Sequence, residues 1–162
     1  MPDTQPSPFK TGAAGSDDES HNLARGLLRI HHVITRGVEV ACRQSRAYAD
    51  GEPVGPALAA GFADYLQALV SVLHGHHTGE DEVAFPALRG RFPEVPWDLL
   101  SEEHRTVVPI LADINGRAAS IRQQPSPDSW TTVASLLERL AALWETHRRR
   151  EETHLTVSKV DA

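Results

Sequence analysis

Two short stretches pair a histidine with a glutamate four residues on: HHTGE, where His76 precedes Glu80, and HRRRE, where His147 precedes Glu151. On a helix this spacing puts both side chains on one face, about one turn apart. Imidazole nitrogens presented with carboxylate oxygens suit iron, manganese or zinc better than calcium or a thiolate-seeking metal. Each stretch is half a site and needs partners from elsewhere in the chain. The sequence has nine histidines in 162 residues, most of them in tight groups.

Those side chains must be positioned by helices, because four stretches carry a 3.6-residue apolar repeat and no alternating period-2 stretch stands out. The first runs from about Asn22 to Tyr48 and ends at the Gly- and Pro-punctuated ADGEPVGP. The second runs from about Pro56 to Arg89; Gly75 and Gly79 each weaken it by roughly 1 kcal/mol relative to Ala, and Pro86 is expected to kink or end it. The third spans about Trp97 to Arg122, and the fourth about Ser129 to Val157, with Asp128 or Ser129 as N-cap. Residues 1–20, rich in Pro, Ser, Gly and Asp, read as a disordered tail ahead of one domain over residues 21–158. Four helices with short connections predict an all-α, antiparallel up-down-up-down four-helix bundle.

Each helix of such a bundle lends one stripe to the core. The stripes read Leu27, His31, Ile34, Val38, Ala41; then Phe62, Leu66, Leu69, Leu73, His76, Glu80, Val83; then Leu100, His104, Val107, Leu111, Ile114; and Val133, Leu136, Leu140, Leu143, His147, Glu151, His154. All four are apolar along most of their length and turn polar at one level. His31 and His104 lie early in their helices, while His76, Glu80, His147 and Glu151 lie late. Alternating helix direction brings early and late positions to the same end of the bundle, so the six polar residues meet in one layer. An ionised carboxylate buried without a partner would cost several kcal/mol. Four histidines with Glu80 and Glu151 between them are about right for two metals, each bound by two histidines and bridged by the carboxylates. His32 competes with His31 for the inward position, the seam favouring His31. His74 and His77 fall on a flank of the second stripe, where each could be an alternate ligand or support one, and Asp81 has a claim to orient an imidazole. Trp97, Trp130 and Trp144 read as core or end-packing aromatics.

Bulk composition narrows the partners. Sixteen basic against 22 acidic residues give a net charge of −6, which argues against nucleic acid and anionic membranes. No run of 18 consecutive apolar residues predicts a membrane span, and the N-terminus lacks the pattern of a secretory signal. A single cysteine, Cys42, cannot form an internal disulfide, which fits a cytoplasmic location.

The stretches LLRIHH, HHTGEDEVAFPAL, EEHRTVV and THRRREE together resemble the hemerythrin-like (HHE cation-binding) family over about Leu23 to Val157. The resemblance implies an up-down four-helix bundle around a non-haem di-iron centre, two iron ions with an oxo or hydroxo bridge. His31, His76, His104 and His147 would be terminal ligands, and Glu80 and Glu151 bridging ones. Two features depart from the oxygen-carrying members. The residue one turn after His104 is Val108 rather than histidine, leaving one terminal ligand missing unless His77 or His154 supplies it. Glu151 follows its histidine by four residues instead of five. Both look more like the bacterial domains linked to iron–sulfur repair, to peroxide or nitrosative stress and to iron sensing. The implied activity is binding or reduction of a small oxidant, dioxygen, peroxide or nitric oxide, with an electron donor that the sequence does not identify. The competing expectation is an oxygen or iron sensor, or a metal-storage module, acting through a protein partner without catalysis.

Overall fold

The computed structural model describes the backbone of residues 14–155 and the side chains of residues 22–155. Helix α1 (Ala14–Ala49) leads to α2 (Pro56–Gly79), which passes through a five-residue π turn (Glu80–Ala84) into the short α3 (Phe85–Arg89); α4 (Trp97–Gln123) and α5 (Pro127–His154) complete the chain. Because α2, the π turn and α3 form one continuous rod, four antiparallel rods make the bundle, with no strand among the described residues. Residues 14–20 are helical where a disordered tail was expected; acidic residues 17–19 favour the positive end of a helix. The rest of the expected tail, residues 1–13, lies outside the described residues, as do residues 156–162. The N-cap of α5 is Ser126 rather than Asp128 or Ser129: its hydroxyl accepts the Ser129 N–H at 3.2 Å, with Pro127 at the first turn.

Helix α1 packs most extensively on α5, α2 on α4, and α4 on α5, while the α1–α2 seam is the slimmest. That seam leaves an apolar groove lined by Val33, Ile34, Gly37, Tyr65, Leu69 and Val72, crossed by the Tyr65 hydroxyl donating to the Gly37 carbonyl at 2.8 Å. By length and composition alone the rod over 56–89 could cross a bilayer, a test that the core helices of bundles also pass. In this fold it is one of the four rods, packed mainly on α4.

The core has two apolar bodies. The larger runs from Tyr48, Phe62 and Trp130 at one end to Ile34, Leu73, Val107 and Trp144. The smaller, at the other end, gathers Ala24, Leu27, Phe85, Leu88, Trp97, Leu100 and Leu155. Between Leu27 and Ile34, Leu73 and Ala84, Leu100 and Val107, and Trp144 and Leu155, every rod crosses from one body to the other. The residues at those crossings are the polar ones.

Candidate metal centre

The level between the two apolar bodies is filled by His31, His77, Glu80, His104, His147 and Glu151, all buried, and by the ring of His76. The six sequence-predicted residues therefore meet in one layer, and His31 rather than His32 faces inward; His32 is exposed and lines a polar groove with Leu28, Thr35, Arg148 and Glu152. The π turn sets the phase of the second rod. Its extra residue closes the Phe85 N–H onto the Glu80 carbonyl and rotates everything beyond it by about 100°. Ala84, Phe85 and Leu88 then face the core, and Val83, expected on the stripe, is 61% exposed. The same widened turn accommodates Pro86, whose ring would clash with a carbonyl four residues back in a regular α-helix, so the rod continues to Arg89. On α5 the buried line is Val133, Leu137, Leu140, Trp144, while Leu136 and Leu143 are half-buried on its flank. His154 is half-buried too.

Glu80 lies at the centre. Its Oε1 is 3.0 Å from His76 Nε2 and 3.6 Å from His31 Nε2; its Oε2 is 3.1 Å from His104 Nε2 and 3.9 Å from His147 Nε2. Glu151 Oε2 also spans the two halves, 3.2 Å from His31 Nε2 and 3.5 Å from His147 Nε2. Three donor groups have their atoms within 4.8 Å of one another: His31, His76 and Glu80; Glu80, His147 and Glu151; and His77, His104 and His147. His154 joins none of these groups.

Two observations test whether these residues fit a metal. The Nε2 atoms of His31, His76 and His77 and both carboxylate oxygens of Glu80 and Glu151 are buried and make no hydrogen bond; such groups are costly unless something pairs with them. First-row metal–nitrogen and metal–oxygen bonds of about 2.1 Å put neighbouring donors about 3 Å apart, which is close to the spacings around Glu80. The donor set fits.

Electrostatically the layer is divided. Burial opposes charge on every imidazole, yet at His31 the carboxylates of Glu151 and Glu80 outweigh it and raise the imidazolium to about 10. His104 is raised similarly, burial being outweighed by Glu80 and Asp81. Burial prevails at His76, lowered to about 4, at His147, lowered to about 3, and at His77, held far below the usual range. Burial pushes Glu151 up, whereas at Glu80 it is overcome by His104 and His31, which hold that carboxyl below its ordinary range.

Behind the inward nitrogens stands a second ring of acids, each the sequence neighbour of a layer residue and each reaching to the next rod. Asp81, beside Glu80, places Oδ2 3.0 Å from His104 Nδ1. Glu103, beside His104, accepts from His147 Nδ1 at 3.0 Å. Glu152, beside Glu151, accepts from His31 Nδ1 at 3.1 Å. The acids on the Nδ1 side orient each ring so that its Nε2 points into the layer, where those of His104 and His147 lie 3.2 Å apart. The acids are themselves held: the Ser101 hydroxyl donates to Asp81 at 2.6 Å, Arg148 donates to Glu152 at 2.7 Å, and Arg150 pairs with Glu103. Asp81 was expected in this role; Glu103 and Glu152 were not. Their signal was present in the doublets ED, EH and EE, where one residue lies on the stripe and its neighbour one step round the helix. Trp144 closes the layer on the side of the large core, its ring centroid 5.3 Å from that of His31 and its indole N–H donating to Thr35 at 2.9 Å.

The family described as the hemerythrin HHE cation binding domain matches residues 22–156. The chain belongs to that family. The match covers all four rods of the HHE domain and every residue of its polar layer, so cation binding by this family and the clustered histidines and glutamates coincide on the same part of the chain. No curated protein and no solved structure matches the chain significantly.

Proposed function

We propose that this HHE domain holds two iron ions and binds or reduces a small oxidant: dioxygen, peroxide or nitric oxide. Supporting this reading above all is the placement of Glu80, which turns one oxygen toward His31 and His76 and the other toward His104 and His147. Those four histidines would be terminal ligands, and Glu80 and Glu151 would bridge. A pair of irons held this way supplies electrons and open coordination positions to a small oxidant.

The chain's own side chains do the rest. Asp81, Glu103 and Glu152 orient three imidazoles so that Nε2 points into the layer. The apolar bodies above and below exclude bulk water, and Trp144 seals one side. A cytoplasmic setting, a small diatomic or peroxide ligand, and no nucleic-acid or membrane partner complete the proposal. Metal analysis of the purified protein, with absorption spectra before and after dioxygen, peroxide and nitric oxide, tests it. Iron near two per chain with oxidant-dependent absorption is expected. Stoichiometric zinc that ignores all three oxidants would overturn it in favour of a structural or storage metal.

A further inference from the structure

We infer that His77 is itself a metal ligand, and that the adjacent His76 and His77 serve different ions. The inference rests on the two-metal reading above and adds a donor to it. Consecutive helical residues project about 100° apart, so neighbouring histidines cannot share one face, and here they diverge within the layer. His76 groups with His31 and Glu80, whereas His77 groups with His104 and His147.

His77 is buried, and its Nε2 makes no hydrogen bond. Its ring lies flat against that of His104, with centroids 4.1 Å apart and planes 14° from parallel, and 5.6 Å from the ring of His147. Packing alone would be served better by an apolar side chain, which would leave no polar atom stranded. The other places from which a further donor could come are closed. Val108, one turn beyond His104, is 51% exposed on the outer face of α4, and His154 belongs to no donor group. With His77 included, one ion has three imidazoles, His77, His104 and His147; the other has two, His31 and His76; and each takes one oxygen of Glu80.

The test compares wild type with His77→Leu and His77→Gln, the first apolar and the second polar but unable to replace an imidazole. Each protein is stripped, reloaded with ferrous iron under anaerobic conditions, and assayed for metal per chain, for affinity by chelator competition and for melting temperature in both states. The expected result is two ions in wild type and one tightly held ion in each variant, with affinity for the second ion down by at least about tenfold. The melting temperature of stripped His77→Leu is expected to be unchanged or higher, and its rise on metal loading smaller than in wild type. Two ions bound with unchanged affinity in a folded variant would overturn the inference while leaving the two-metal reading intact. The inference fails equally if both variants lose stability when stripped yet still load two ions, since His77 would then be a packing residue. A wild-type protein that takes up no transition metal would overturn both.

Discussion

Replacing Glu103 by glutamine isolates the contribution of one acid behind the metal layer. The substitution keeps the shape of the side chain and removes its charge. In the native arrangement Glu103 accepts from His147 Nδ1 at 3.0 Å, which fixes the tautomer and makes Nε2 the basic nitrogen. A glutamine can present its NH₂ group instead of its oxygen, and then the opposite tautomer is favoured, with a proton on the atom that must bind metal. Losing such an outer partner typically costs ~10–100-fold in metal affinity, or about 1.4–2.8 kcal/mol. Arg150 already offsets part of the Glu103 charge, which places Glu103→Gln near the lower end, at about tenfold.

Exposure grades the corresponding acids. Glu103 is 20% exposed, Glu152 30% and Asp81 35%, and solvent screening weakens the more exposed pairs. Glu103→Gln should therefore weaken binding most, Glu152→Gln less, and Asp81→Asn least. Chelator competition at constant pH, with far-UV circular dichroism to verify the fold, measures all three. An affinity for folded Glu103→Gln within about twofold of wild type, well short of the usual outer-ligand effect, would refute the reasoning. So would a reversed order with Asp81→Asn the largest.

Three further outcomes are expected. His147→Ala should abolish metal-dependent absorption while the far-UV spectrum stays helical, because the apolar bodies on either side of the layer are untouched. Metal binding at neutral pH should release protons: His31, raised to about 10, is charged there and must become neutral to ligate, and His104 is shifted in the same direction, so affinity rises with pH and calorimetry in buffers of different ionisation enthalpy reads the release. Gly75→Ala should raise stability by about 0.4–1 kcal/mol and the melting temperature by roughly 1–4 °C, since an added Cβ there meets open space in an ordinary helical turn; a lower melting temperature would contradict this.

The bundle was readable from periodicity because its polar layer interrupts four long apolar stripes at matching depths. On α1 and α4 the expected stripes are buried, His31 being chosen over His32, and on α4 Ile110 is buried beside Leu111. On α5 the sequence offers Leu136 beside Leu137 and Leu143 beside Trp144, and a 3.6-residue period does not choose between adjacent apolar residues; packing chose Leu137 and Trp144. Val83 was misplaced for a different reason. A π turn changes the helical phase without a distinctive residue pattern, although Pro86 just beyond it marks where a regular ladder would fail. The inward turn of His77 was also beyond periodicity, which gave one seam per helix where the fold uses a broader face. The early start of α1 was hidden by a composition of Gly, Ser and Asp that suits tails as well as helix beginnings.

The acid–imidazole pairs also join the rods mechanically. Asp81 ties the second rod to α4, Glu103 ties α4 to α5, and Glu152 ties α5 to α1. Among the described residues no such outer pair returns from α1 to the second rod, where the helices touch least and the apolar groove lies. The pairs thus form an open clasp rather than a closed hoop. These outer pairs link the four rods in series across three of their seams, and the remaining seam, where the helices touch least, is held by the Glu80–His31 pair inside the layer. His31 and His76, whose rings meet edge to face across that seam at 5.1 Å, stand on opposite lips of the opening. Any ion held by both would act as the clasp's fastening.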